Sequence, residues 1–125
     1  MGKMKIKKLE REISELFSDT EFETEKEFTT GDNSRVDLAV LRDGDPFLAV
    51  EFEGSYKWMR SRVLYDAVKA DREGFPNLAV VYPFKQRGLK NCWIFDFIES
   101  DLEVRAKIVH PDEVSDFREI FNGEE

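Results

Sequence analysis

One cysteine, one histidine and one glutamine occur in 125 residues. A lone Cys92 excludes an intramolecular disulfide, and its place in the apolar run Cys92-Trp93-Ile94-Phe95 reads as a buried, inert thiol. With His110 as the only imidazole, zinc ligation of the usual Cys/His kind is excluded. His110 precedes Pro111 and reads as a structural or exposed residue where a helix begins. No apolar stretch approaches the roughly 18 residues of a membrane span. The first eight residues alternate Lys with single apolar side chains, so the continuous apolar core of a signal peptide is missing. These absences lead to the expectation of a cytoplasmic protein with no membrane partner. Neither a Gly-x-Gly-x-x-Gly step nor a P-loop is present, and nucleotide binding has no support.

What is present is charge. Charged residues make up 37% of the chain, against roughly 25% in globular proteins. The 41% hydrophobic content still suffices for one core at this length. A net charge of −8 argues against nucleic acid. Residues 55–90 run the other way, with Lys57, Arg60, Arg62, Lys69, Arg72, Lys85, Arg87 and Lys90 opposed only by Asp66, Asp71 and Glu73. That basic segment is either a phosphate-facing surface or a solvated face.

Periodicity orders the chain. Ile6, Leu9, Ile13, Leu16 and Phe17 recur at helical spacing and predict a first helix over 5–17. Residues 21–30 alternate and are rich in Phe and Thr, which predicts a strand, and Gly31-Asp32-Asn33-Ser34 is a turn cluster. Strands over 35–41 and 47–53 flank a hairpin turn with an Asp-Gly step. A second helix spans 56–73, closed by Gly74, and 77–82 is a short apolar strand of the fully buried kind. Residues 83–90 are a basic loop, 92–98 a strand, 102–109 an edge strand, and 112–121 a terminal helix starting through Pro111. The expected fold is one α/β domain over 1–125, a mixed sheet flanked by helices, with an α-β-β-β-α-β core followed by a C-terminal strand and helix.

The hairpin carries the chemistry. Glu51 and Glu53 share one strand face, in register with Phe47 and Ala49, and Asp37 shares a face with Ala39 and Leu41. Antiparallel pairing brings Asp37 beside Glu51 and Glu53, among alanines small enough to leave a pocket. Like charges so close raise each other's pKa, and partial burial disfavours ionisation further. A hard cation such as Mg²⁺ removes both penalties. The plainer alternative, a solvated sheet face, fits poorly with the apolar run Phe47-Leu48-Ala49-Val50 ahead of the two glutamates.

Arg35-Val36-Asp37-Leu38-Ala39-Val40, a turn, and then Leu48-Ala49-Val50-Glu51-Phe52-Glu53 resembles the metal-binding core of PD-(D/E)XK nucleases, the restriction-endonuclease-like fold. There an Asp on one strand precedes Glu-x-Lys on the next. Leu9-Glu10-Arg11-Glu12-Ile13 resembles the first helix of archaeal Holliday-junction resolvases of that superfamily, which makes Glu10 the helix carboxylate. It lies at the edge of the apolar stripe. The resemblance implies that Asp37, Glu51 and the Phe52 carbonyl hold Mg²⁺ or Mn²⁺, with Glu53 and Glu10 completing an acidic, catalytic site. The family lysine is absent and Glu53 stands in its place, similar to the Glu-x-Glu variant of some restriction enzymes. Glu53 would then bind a second metal or act as general base, with Lys57 and Arg60 supplying positive charge from the second helix.

On that helix Met59, Val63 and Ala67 form a core stripe, and Trp58, Arg62, Tyr65, Lys69 and Arg72 line up on the opposite face. Aromatics and cations so spaced suit either homodimer contact or nucleic-acid contact. The expectation is a metal-dependent endonuclease acting on branched or duplex DNA, a metal-activated water attacking the phosphodiester. The alternative is a nuclease-like fold that no longer cleaves and serves as a binding or assembly module, and a third reading is an acidic interaction domain with no metal.

Overall fold

The structure is a computed structural model and describes residues 3–18, 21–31, 34–54, 57–83 and 92–121. The chain runs through α1 (Lys3–Leu16), β1 (Phe22–Thr29), β2 (Arg35–Arg42), β3 (Asp45–Phe52), α2 (Met59–Arg72), β4 (Asn77–Val81), α3 (Trp93–Asp101), β5 (Arg105–Val109), a 3₁₀ segment (Pro111–Asp116) and α4 (Phe117–Ile120). The strands form one five-stranded sheet in the order β1-β2-β3-β4-β5. Pairing is antiparallel from β1 to β3 and parallel from β3 to β5. Helices flank this mixed sheet, which makes the fold α/β. Among the described residues no helix is long and apolar enough to cross a membrane.

Two apolar clusters give the sheet its two faces. Leu78 and Val80 of β4 point to one cluster, Ala79 and Val81 to the other, and all five residues of β4 are buried. This is why the strand reads as a continuous apolar run instead of alternating. On the first face lie Met59, Val63, Ala67 and Ala70 of α2 with Ile94 and Ile98 of α3. On the second lie Leu9, Ile13 and Phe17 from the first helix and its end, with Val114, Phe117 and Phe121 from the C-terminus. Ala39 and Ala49 are wholly buried in the α2-side cluster. Their small side chains make room for the helix, not for a pocket.

The β2–β3 turn is tight. Asp43 and Gly44 take φ of 52° and 86°, the pair of positive angles that a two-residue hairpin turn needs and that Asp-Gly favours. Just beyond it the register shifts between Val40 and Leu41, since Leu41 pairs with Pro46 but Val40 with Leu48. Phe47 is the extra residue of this bulge. It therefore breaks alternation and packs in the α1-side cluster, away from Ala49 with which the sequence pattern grouped it. The buried Asn77 steadies the bulge, its Nδ2 donating to the Phe47 carbonyl at 3.0 Å.

The segment expected as a strand over 92–98 is helical instead, Cys92 being the N-cap and 93–98 most of α3. β4 and β5 are parallel neighbours, and a parallel pair needs a crossover, usually a helix. The four-residue spacing of buried Ile94 and Ile98, with Trp93 63% exposed, is the helical pattern that the local aromatic content hid. The C-terminal helix expected over 112–121 divides into the 3₁₀ segment and a single turn of α4. His110 caps it, Nδ1 accepting from Asp112 N at 3.1 Å, while Glu113 accepts from His110 N at 2.9 Å. Cys92 is buried, as its apolar setting implied.

Candidate functional site

Strict alternation would place Val36 and Leu38 on one face of β2. Instead Val36 joins the α2-side cluster and Leu38 the α1-side cluster. The switch occurs at Asp37. β1 marks the same level: between the pairs Lys26–Leu38 and Phe28–Val36, Glu27 takes φ of 51°. Irregularities of this kind re-aim side chains at sheet ends. Here Asp37 reaches across to the carboxyl end of β3, where its Oδ2 accepts from Phe52 N at 2.9 Å and its own N–H makes a long 3.4 Å bond to Glu51 Oε1.

A cleft of about 520 Å³ opens at this point, lined by Asp37, Glu51, Phe52 and Glu53 from the hairpin strands and by Arg62, Tyr65, Asp66 and Lys69 from α2, with Thr29, Ser34 and Arg35 at its rim. The structure thus brings together the three hairpin carboxylates that the sequence singled out. It does not bring Glu10 to them. α1 packs on the other face of the sheet, and Glu10 stands 3.8 Å from Lys26. Lys57 lies over the Trp58 ring and Arg60 is exposed, and neither is among the residues lining the cleft.

The α2 stripe and the carboxylates turn out to be parts of one site. Lys69, grouped by sequence with an outward face, keeps only 9% of its side chain exposed, and its Nζ stands 2.9 Å from Glu51 Oε2. It also donates to the Arg35 carbonyl at 2.6 Å and lies 5.0 Å from the centre of the Tyr65 ring. Arg62 reaches Glu53 Oε1 at 3.5 Å. Arg72 lines a smaller depression next door, which shares Ser34, Tyr65 and Lys69 with the main cleft. Trp58 and Tyr65 are 59% and 52% exposed. Lys85, Arg87 and Lys90 of the basic segment lie outside the described residues.

Asp66 is the residue that sequence reasoning missed. Its signal was legible: Met59, Val63, Asp66, Ala67 and Ala70 are the buried positions of α2, so an acid sits on the core stripe itself. Glu51 and Asp66 are 3% and 2% exposed, and one oxygen of each, Glu51 Oε2 and Asp66 Oδ2, has no hydrogen bond among the described residues. The Lys69 ammonium, 2.9 Å away, is the charge partner of Glu51 Oε2. Burial pushes the Glu51 carboxyl up to about 7, Asp37 adding to the shift and Lys69 opposing it. Burial likewise pushes Asp66 up to about 10, helped by the neighbouring Glu53 and Glu51 carboxyls. Burial alone would lower Lys69, yet Glu51 and Asp66 outweigh it and hold the ammonium above its ordinary value.

The donor set suits a hard divalent cation. All its atoms are oxygens, and the crowded, buried carboxyls resist ionisation until positive charge arrives. Among the described residues no three Asp, Glu, His or Cys side chains already stand in a ligating arrangement. Mg²⁺ commonly takes only one or two protein carboxylates and fills its shell with water and phosphate. Comparison with family models, curated proteins and solved structures finds no match for the chain.

Proposed function

We propose that the cleft hydrolyses phosphodiester bonds in DNA with the help of Mg²⁺ or Mn²⁺, on a restriction-endonuclease-like variant of the α/β fold. The observation that carries this reading is Lys69. The nuclease pattern that the hairpin resembles needs a lysine beside its glutamate, and Glu53 occupies that place in the sequence. α2 supplies an ammonium from elsewhere, 2.9 Å from Glu51. Asp37, Glu51 and the Phe52 carbonyl would hold the ion. Bound there, it would supply Lewis acidity toward the phosphate and ease deprotonation of a water nucleophile.

The chain's own residues do the rest. Lys69 sets a positive charge where the phosphate gains negative charge during attack, in a buried setting where that attraction is little screened. Glu53, held by Arg62, is placed to take a proton from water, and Arg62 can pass to a phosphate oxygen when substrate enters. Exposed Tyr65 offers a stacking surface on the cleft lining, and exposed Trp58 another at the start of the same helix. Incubation with linear, flapped and four-way DNA in Mg²⁺ or Mn²⁺ tests the reading. Cleavage is expected, lost in Asp37→Ala and reduced at least ~100-fold in Glu53→Gln, as for loss of a general base.

A second reading, a nuclease-like fold that binds without cleaving, is favoured by one observation. Lys69 already stands against the Glu51 oxygen that an ion would use. Binding of DNA or a protein with no cleavage on any of the three substrates would establish that reading in place of the first.

A further inference from the structure

The cleft holds a cation of the chain's own at the oxygen an incoming ion would need. Lys69 Nζ stands 2.9 Å from Glu51 Oε2 and 4.0 Å from Asp66 Oδ1, donates to the Arg35 carbonyl at 2.6 Å, and lies 5.0 Å from the centre of the Tyr65 ring. Groups from β2, β3 and α2 thus enclose one ammonium. A lysine gives up water and side-chain freedom to be held this way, so the contact with Glu51 must offset both. The neighbouring carboxyls have other engagements. Asp37 Oδ2 accepts from Phe52 N at 2.9 Å, and Glu53 pairs with Arg62 at 3.5 Å and hydrogen-bonds with Asp66. Lys69 is therefore the counter-charge of Glu51 in the empty cleft.

We propose that Lys69 is a tethered counter-ion that closes Glu51 to divalent cations in the empty cleft and swings away from it when an ion binds. The proposal rests on the metal-binding reading of the cleft and adds its regulation. A dication on Glu51 and an ammonium 2.9 Å from the same carboxylate would stand a few ångströms apart. Between groups so withdrawn from water their repulsion is little screened. The ammonium has a way out. Its stem starts on the open face of α2, between exposed Tyr65 and Arg72, and is long and flexible. It lines a cleft of about 520 Å³ in which to move. A substrate phosphate would give the displaced ammonium a new partner there, so substrate would ease the entry of the ion.

Two measurements on the full chain test this. In the first, Mn²⁺ uptake at pH 8 is followed by loss of the free-ion paramagnetic signal. Lys69→Met is expected to bind Mn²⁺ at least ~10-fold more tightly than the wild type, within the usual range of coupling between two sites. A proton can replace the ammonium on Glu51 in that variant, but the ammonium repels a dication about twice as strongly as it repels a proton, so the ion gains more. The second measurement needs no variant and decides alone if Lys69→Met fails to fold. Acetylation of wild-type amines, mapped by mass spectrometry, should spare Lys69 without metal and modify it once Mn²⁺ is bound, while exposed Lys5 and Lys7 react equally in both states. Mn²⁺ bound by the wild type with Lys69 still protected, or bound no more tightly by Lys69→Met, would overturn the counter-ion and leave the metal reading standing. No uptake at millimolar Mn²⁺ by either chain would overturn the metal reading, and the counter-ion with it.

Discussion

Replacing Lys69 by Met keeps most of the stem and removes the ammonium that stands 2.9 Å from Glu51. Both side chains are nearly enclosed, so solvent screens the pair little. Because the Glu51 carboxyl has been pushed up to about 7, the loss should depend on pH. At pH 8 Glu51 is charged, and Lys69→Met should lower stability by about 1 kcal/mol, because the carboxyl can take up a proton once the ammonium is gone. At pH 5 the carboxyl is protonated and the loss should be much smaller. Adding Glu51→Gln to Lys69→Met should restore most of the stability at pH 8. A double-mutant cycle by urea denaturation measures the coupling at each pH, and equal coupling at both would contradict this assignment. Lys69 also marks where the sequence misleads at this scale. The spacing of Arg62, Tyr65, Lys69 and Arg72 gives a helix face correctly, but a lysine stem is long enough to curl from that face into a neighbouring cleft. Glu51 and Glu53 were legible because alternation holds from Ala49 onward, whereas Asp37 reaches them through a break in alternation at its own position that the pattern does not show. Glu10 was placed by likeness of sequence and by its position at the edge of the α1 stripe, and α1 lies across the sheet from the cleft.

Elements were legible in proportion to how local their causes are. The Asp43-Gly44 turn, the stripe of α1 and the apolar run of β4 each follow from neighbouring residues. α3 does not. Its segment 92–98 has strand-like aromatic content, and it is the parallel pairing of β4 with β5 that demands a crossover there. The bulge at Phe47 is equally non-local, since its buried carbonyl is satisfied from β4 by Asn77. Asn77→Ala removes that donor and leaves a buried acceptor unpaired, which should cost about 1–3 kcal/mol. Chemical denaturation would measure it, and a change below about 0.5 kcal/mol would mean that the bulge relaxes without the bond.

Across the whole molecule the cleft should set how stability responds to pH. Glu51 is raised from 4.5 to about 7 and Asp66 from 3.8 to about 10. Between pH 4.5 and 7 the folded chain thus holds more protons on both groups than the unfolded chain does. Stability must then fall as pH rises, by at most about 1.4 kcal/mol per pH unit for each group. Above pH 7 Asp66 alone continues the decline. The expected result is a Tm that drops steadily from pH 5 to pH 8 without added metal, and that drops less in Asp66→Asn. A rising Tm over that range would show that the two carboxyls are not held up by burial. A different consequence follows from the sheet's two borders. Among the described residues β1 pairs only with β2, and β5 only with β4. A border strand invites pairing with another chain, which is how sheets nucleate aggregates. β1 carries Glu23, Glu25, Lys26 and Glu27, and the positive φ of Glu27 interrupts its extended backbone. β5 is five residues long and exposes Arg105 and Lys107. A second chain docking along either border would have to bury those charges, so the same charge density that complicates reading this sequence keeps its sheet from growing.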